Sequence, residues 1–224
     1  MTPIRDHPFQ ASPPYINYCL ITLNCLVFAW ELSIGANLLK ATQVLGFVPA
    51  RFLGYFLHSE ATFSQAVMPL FTSLFIHGNV LHFMPNMCFL YLFGGNVEDV
   101  LGPGRYLLFY LAGGVGAGLI YLLFAPFSAV PLIGASGAIA AVMAAYLSLF
   151  PEERLSTLLI IVWVLLQFLY GTFAVVNKLT GQAGMAWWAH VGGFVLGLML
   201  IRLLAPSAVR LIPLRSRPPK PPED

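Results

Sequence analysis

Residues 134–150 read GASGAIAAVMAAYLSLF: a serine between glycines, then a run of small and apolar residues without a charge. Such a run is either the core helix of a soluble domain or a segment in hydrocarbon. The rest of the chain decides between them. Of its 224 residues 58% are hydrophobic and 9% are charged, with a mean hydropathy of +0.80, whereas a soluble domain carries about 25% charged residues. The chain belongs in a lipid bilayer. Its net charge of +2 points to no acidic partner and to no nucleic acid.

A crossing helix needs about 20 apolar residues, at ~1.5 Å each through roughly 30 Å of hydrocarbon. Six runs approach that length: 15–34, 79–97, 105–125, 134–150, 155–176 and 185–204. Their backbone must be satisfied internally, so they are predicted helices. The predicted fold class is all-α, a polytopic membrane protein with a six-helix bundle over 15–204. A short cytoplasmic segment (1–14) precedes it, and a disordered, basic, proline-rich cytoplasmic tail (205–224) follows it. The long first loop, 35–78, is too polar to span and too apolar to be free. Phe47, Phe52, Tyr55, Phe56 and Phe63 predict that it lies half-immersed at the interface. Cys19, Cys25 and Cys88 lie in apolar runs without paired or metal spacing and are predicted to be packing residues. No stretch resembles a cleaved signal peptide.

Lysine and arginine set the orientation. With the N-terminus in the cytoplasm, Arg5, Arg105, Arg154, Arg202, Arg210, Arg215, Arg217 and Lys220 fall inside, and Lys40, Arg51 and Lys178 outside. Both ends are then cytoplasmic, and Trp187 and Trp188 mark the outer interface. The second, fourth and sixth helices all run inward. His82 and Asn86 near the start of the second, Ser136 at the start of the fourth and His190 near the start of the sixth therefore share one depth. Polar groups inside a membrane are costly unless they meet each other or water, and so mark function.

Gly193 and Gly197 after His190, and Gly137, Ala141 and Ala145 after Ser136, carry small residues four apart, which lets helix backbones touch. Such packing brings the serine to the histidine, whose imidazole can take the hydroxyl proton. No acidic residue lies in the outer half of these helices, so a dyad is expected. Unpaired amides at a helix start, with His82 and Asn86 on one helix face, could stabilise an oxyanion. Pro126 and Pro131 precede the short fourth run without a charge, which predicts a loop that dips into the membrane and gives water access to Ser136.

These pieces resemble the rhomboid family of intramembrane serine proteases. The matching stretches are TSLFIHGNVLHFMPNM (72–87), GNVEDVLGPGRYLLFYL (95–111), GASG (134–137) and AHVGGFVLG (189–197), in order along residues 44–204. The resemblance implies a bacterial-type six-helix core, with Ser136 as nucleophile, His190 as base, and His82, Asn86 and the Ser136 amide as the oxyanion hole. Gly134, Gly137, Gly193, Gly197 and His77 are then structural residues near the site. It implies an endopeptidase without cofactor or metal that cuts the transmembrane segments of other proteins near their outer end. Substrates would enter laterally past 160–190, and the location would be a bacterial inner membrane with the site open to the periplasm. Two positions depart from the family pattern. Met68 and Pro69 stand where many members have Trp-Arg. Ala140 stands where some have an aromatic against the histidine, which leaves the residue that orients His190 unnamed.

Each of these residues also has a plainer role open to it. Ser136 could be a helix cap, His190 a buried histidine bonded to a carbonyl, and His82 and Asn86 interhelical glue. His77 and His82 are five apart and lack the spacing of a zinc helix. Glu98 and Asp99 are expected to tie their helix end to the Gly102–Arg105 turn. A catalytically inactive relative that binds membrane helices is one alternative. A small transporter is another, although no acidic path or inverted repeat supports it.

Overall fold

The computed structural model describes residues 13–58, 61–177, 187–205 and 207–208. Most of the N-terminal segment, most of the tail, and residues 178–186 of the expected entry region lie outside that set. The bundle opens with α1 (Tyr15–Ser33), whose N-cap Pro14 makes no side-chain cap. The buried carboxylate of Glu98 takes that place, accepting from the amides of Ile16 at 3.0 Å and Asn17 at 2.7 Å. A carboxylate there satisfies free N–H groups and meets the positive end of the helix dipole. This corrects the expected role of Glu98. Its side chain reaches the unpaired amides of another helix, while the Gly102 turn is closed by backbone alone, from the Gly102 amide to the Glu98 carbonyl at 2.7 Å.

The first loop is a chain of short helices: a 3₁₀ turn (Gly35–Asn37), α2 (Leu38–Leu45), α3 (Pro49–His58), α4 (Phe63–Ala66), α5 (Pro69–Thr72) and a second 3₁₀ turn (Ser73–Phe75). Thr62 and Gln65 form a capping box at the start of α4. The aromatic residues divide as a half-immersed segment requires. Phe47 is buried, whereas Phe56 and Phe63 are exposed. The loop also holds the segment that leads into the fourth apolar run. Phe47 and Leu132 exchange backbone hydrogen bonds at 3.0 and 2.8 Å, and the Ala50 amide donates to the Ser128 carbonyl at 3.0 Å.

The second span is not one straight helix. α6 (Val80–Phe89) contains Pro85, continues through a π turn (Leu90–Gly94) and resumes as α7 (Gly95–Leu101). The wide turn leaves a carbonyl for an outside partner: Asn17 Nδ2 donates to the Leu90 oxygen at 3.1 Å, and the Tyr106 hydroxyl donates to Asn17 Oδ1 at 2.8 Å. Gly102, with φ 76, ends α7, and Pro103 opens α8 (Pro103–Phe124), the usual pairing of glycine after one helix and proline inside the next.

α9 (Ser136–Leu149) runs through the centre of the bundle, buried at nearly every position. α8 and α11 (Trp187–Leu204) close on it, and on each other, at glycines. A Cβ on Gly113 would lie 2.6 Å from the Ala141 methyl, one on Gly137 2.7 Å from the Ala117 methyl, and one on Gly192 2.6 Å from Ile120. α10 (Arg154–Asn177) lies at the edge, with Leu155, Leu158, Ile161, Leu165 and Leu169 exposed. α1, α8 and α11 are each long and apolar enough to cross a bilayer. The segments Phe63–Phe75 and Val80–Leu101 pass the same test together, bent by 74°. The chain is thus a polytopic, integral helical membrane protein whose exposed apolar shell faces lipid. The three cysteines belong to that shell: all are exposed, so the expected packing role does not hold.

Candidate active site

At 14 residues, α9 is about 21 Å long and falls short of the roughly 30 Å hydrocarbon layer. A helix of that length cannot reach from one surface of the layer to the other, and Ser136 opens it at the end of the loop pinned to Phe47 and Ala50. The turn into it is made at Gly134, with φ 110, whose amide donates to the Ser73 carbonyl at 2.8 Å. A Cβ at Gly134 would stand 2.7 Å from both Cε1 and Nε2 of the His82 ring. Glycine is needed there twice, for its backbone angle and for the ring beside it.

α11 brings His190 to the serine through close backbone contact. A Cβ on Gly193 would collide with the Gly137 carbonyl, and one on Gly197 with that of Ala141. Along this seam Ser136 Oγ lies 2.7 Å from His190 Nε2. The other ring nitrogen, Nδ1, lies 2.8 Å from Oε1 of Gln167 on α10. The Trp163 ring, one turn before Gln167 on the same helix face, tilts against the imidazole with centroids 5.5 Å apart and meets the Phe89 ring at 6.3 Å. Ala140 is fully buried one turn after Ser136, so the histidine's aromatic neighbour comes from α10 instead. Sequence reasoning missed Gln167. The available signal was a lone amide inside the apolar run 155–176, which is expensive in hydrocarbon without a partner.

His82 and Asn86 occupy the same face of α6. His82 Nδ1 is 2.9 Å from the His77 carbonyl. A carbonyl only accepts, so Nδ1 carries the proton, and Nε2, directed at Gly134, donates only when the ring is charged. Asn86 Nδ2 donates to the His82 carbonyl at 2.7 Å and keeps a second N–H. No side chain caps α9, so its first-turn amides stay open beside the serine. His77 is held from behind: its amide and that of Gly78 donate to the buried Glu31 carboxylate at 2.9 and 2.6 Å. In this connecting segment, burial first and then the nearby His82 push the His77 imidazole down to about 4, so it is neutral. A small cavity of about 10 Å³, bounded by Ser73, Leu74, Gly114, Gly134, Ser136 and Ala189, adjoins the serine. It has room for roughly one water.

A hydroxyl against an imidazole, open helix amides and a flanking amide side chain can together activate an oxygen nucleophile. Comparison with known proteins agrees on lineage. The Rhomboid domain profile matches residues 64–207. This chain belongs to the rhomboid family. Among its relatives, presenilin-associated rhomboid-like protein A, mitochondrial, of Danio rerio is 32% identical over 165 residues, 69% of this chain and 42% of the relative. RHOMBOID-like protein 12, mitochondrial, of Arabidopsis thaliana is 31% identical over 144 residues, 55% of this chain and 42% of the relative. Rhomboid protease GluP of Bacillus subtilis (strain 168) is 33% identical over 195 residues, 84% of this chain and 34% of the relative. The chain thus spans well under half the length of these relatives.

Proposed function

We propose that this rhomboid protein is an intramembrane serine endopeptidase that cuts transmembrane segments of other membrane proteins. The observation that carries it is the 2.7 Å approach of Ser136 Oγ to His190 Nε2 from two helices that meet at glycines. His190 takes the hydroxyl proton as Oγ attacks the scissile carbonyl, then returns it to the leaving amine. The amide of Ser136, with Asn86 and His82, faces the developing oxyanion. The name of the Bacillus relative, a protease, supports the same chemistry. Residues 15–204 form the catalytic unit, with both ends on the cytoplasmic side and the serine open to the opposite face, as the lysine and arginine distribution favours. Substrate helices reach the serine past α10 and the segment that follows it. The expected bacterial inner membrane draws no support from similarity, because several relatives are mitochondrial.

The test is cleavage of a labelled single-span substrate by the full chain in liposomes, with products mapped by mass spectrometry. Wild type should cut within the span, and Ser136→Ala and His190→Ala should not. Equal cutting by either variant would overturn the proposal. A second reading, a non-cleaving binder of membrane helices, draws on relatives named only as rhomboid-like. It predicts co-purification of the intact substrate with wild type and no products.

A further inference from the structure

We propose that Gln167 is a positioning residue, which holds His190 in the tautomer that carries its proton on Nδ1 and leaves Nε2 free for the Ser136 proton. This rests on the hydrolytic function above. A neutral imidazole has one N–H and one lone pair, and Ser136 can give up its proton only to a lone pair on Nε2. The proton must then sit on Nδ1, where the atom 2.8 Å away is the amide oxygen of Gln167. If the tautomer were reversed, Nε2–H would point at the serine oxygen and the base would be blocked. An acceptor at Nδ1 favours the working tautomer and continues to accept when the ring becomes an imidazolium.

In Ser-His-Asp triads a carboxylate fills this position, and in Cys-His-Asn variants an amide does. Here the surroundings are hydrocarbon, and an isolated carboxylate in such a site is expensive. An amide offers the same oxygen without the charge. The step balances: the Ser136 O–H bond breaks, its proton joins Nε2, Nδ1–H stays donated to Gln167, the freed electron pair of Oγ forms the bond to the scissile carbonyl carbon, and the C=O π pair moves onto the carbonyl oxygen as the oxyanion. Trp163, from the same helix face, limits rotation of the ring. Gln167 and Trp163 thus make α10 a working wall of the site. Among the described residues, the titratable side chain that faces His190 is His82 of α6; α9 offers Ser136, and α10 offers Trp163 and Gln167.

The test uses the full chain in detergent and in liposomes, with two independent readouts. The first is the ¹⁵N spectrum of histidine-labelled protein, with the His190 signals assigned by their loss in His190→Ala. The expected pattern is a protonated, pyrrole-type Nδ1 and a pyridine-type Nε2. In Gln167→Leu the two signals should move toward a tautomer mixture. The second is kinetics on the model substrate. Gln167→Leu should lower kcat about tenfold, the cost of one lost hydrogen bond of ordinary strength, with KM and the melting temperature nearly unchanged. Gln167→Glu should retain much of kcat and move the acid limb of the pH–rate profile upward by about one unit or more, because a carboxylate favours the charged ring. Leu26→Ala, on the exposed face of α1 and away from α10, should match wild type. A pyrrole-type Nε2 in wild type, or Gln167→Leu with unchanged kcat and pH profile, overturns the role of Gln167. If wild type cuts nothing, the hydrolytic function falls, and the spectrum still decides the tautomer.

Discussion

The two sides of His190 are built differently. Toward α9 the histidine stands on a seam of glycines where no side chain intervenes, and the helix it faces is buried along nearly its whole length. Toward α10 it meets two side chains, Trp163 and Gln167, on a helix whose opposite face is exposed leucine and isoleucine. The first side fixes where the two reacting groups are. The second fixes how the ring is turned. Close backbone packing is stiff, because any added atom meets a carbonyl; a wall of side chains on an edge helix leaves room for rearrangement. Damage to the glycine seam should therefore take stability and activity together, whereas damage to the α10 wall should take activity and spare most of the fold.

The largest effect is expected on the seam. Gly193→Val drives a branched side chain into the Gly137 carbonyl. A displacement of the reacting groups by about 1 Å costs roughly 100-fold in rate, so activity should fall at least that far, together with a lower melting temperature. If Gly193→Val kept both, the seam would not be what positions the pair. Next comes Glu98→Ala, far from the serine, which strips charged acceptors from the Ile16 and Asn17 amides. Two such bonds contribute about 3 kcal/mol or more together. Denaturation in mixed micelles should show that loss, while kcat per folded molecule stays close to wild type. Trp163→Ala probes the other side and should lower kcat about fivefold with a smaller stability loss than Gly193→Val, because the half-buried ring gives up its contacts to His190 and Phe89, about 1 kcal/mol each beyond area, without forcing any backbone apart. If it cost as much stability as Gly193→Val, the contrast between the two sides would be gone.

Much of this design was legible in the sequence. The six apolar runs correspond closely to the observed helices, because absence of charge over such lengths leaves few alternatives. The seam was legible in Gly137, Gly193 and Gly197, whose spacing states which faces can touch. What stayed hidden depends on rotation and on long-range partners. Gln167 is one amide in a long apolar helix, and nothing in the local pattern says that it turns toward His190. Glu98 reads as a helix-end charge, and its true partner lies 81 residues away in the sequence. The π turn at Leu90–Gly94 goes with the Asn17 side chain donating to the Leu90 carbonyl, a contact between distant residues that no local propensity encodes. The proton location on His82 became clear only from the His77 carbonyl.

The smallest expected effect concerns His77. Its folded-state value of about 4 lies below the ordinary 6.5, so its neutral form stabilises the fold at neutral pH, and that contribution is lost as pH falls from about 6.5 toward 4. Melting temperatures should drop over that window in wild type and drop less in His77→Gln. An identical slope in the two proteins would assign the acid sensitivity to other groups.

Activation of Ser136 by His190 is the step on which the proposed chemistry depends. The most direct measurement is the adduct with a fluorophosphonate probe, located by peptide mass spectrometry on folded protein. The predicted result is a single phosphonylated serine, Ser136, in wild type, with labelling lost in Ser136→Ala and at least 100-fold slower in His190→Ala, as the loss of the general base requires, roughly the 10²–10⁴-fold that such a base contributes. Folded wild type that stays unlabelled, or a His190→Ala variant that labels at the wild-type rate, would contradict it.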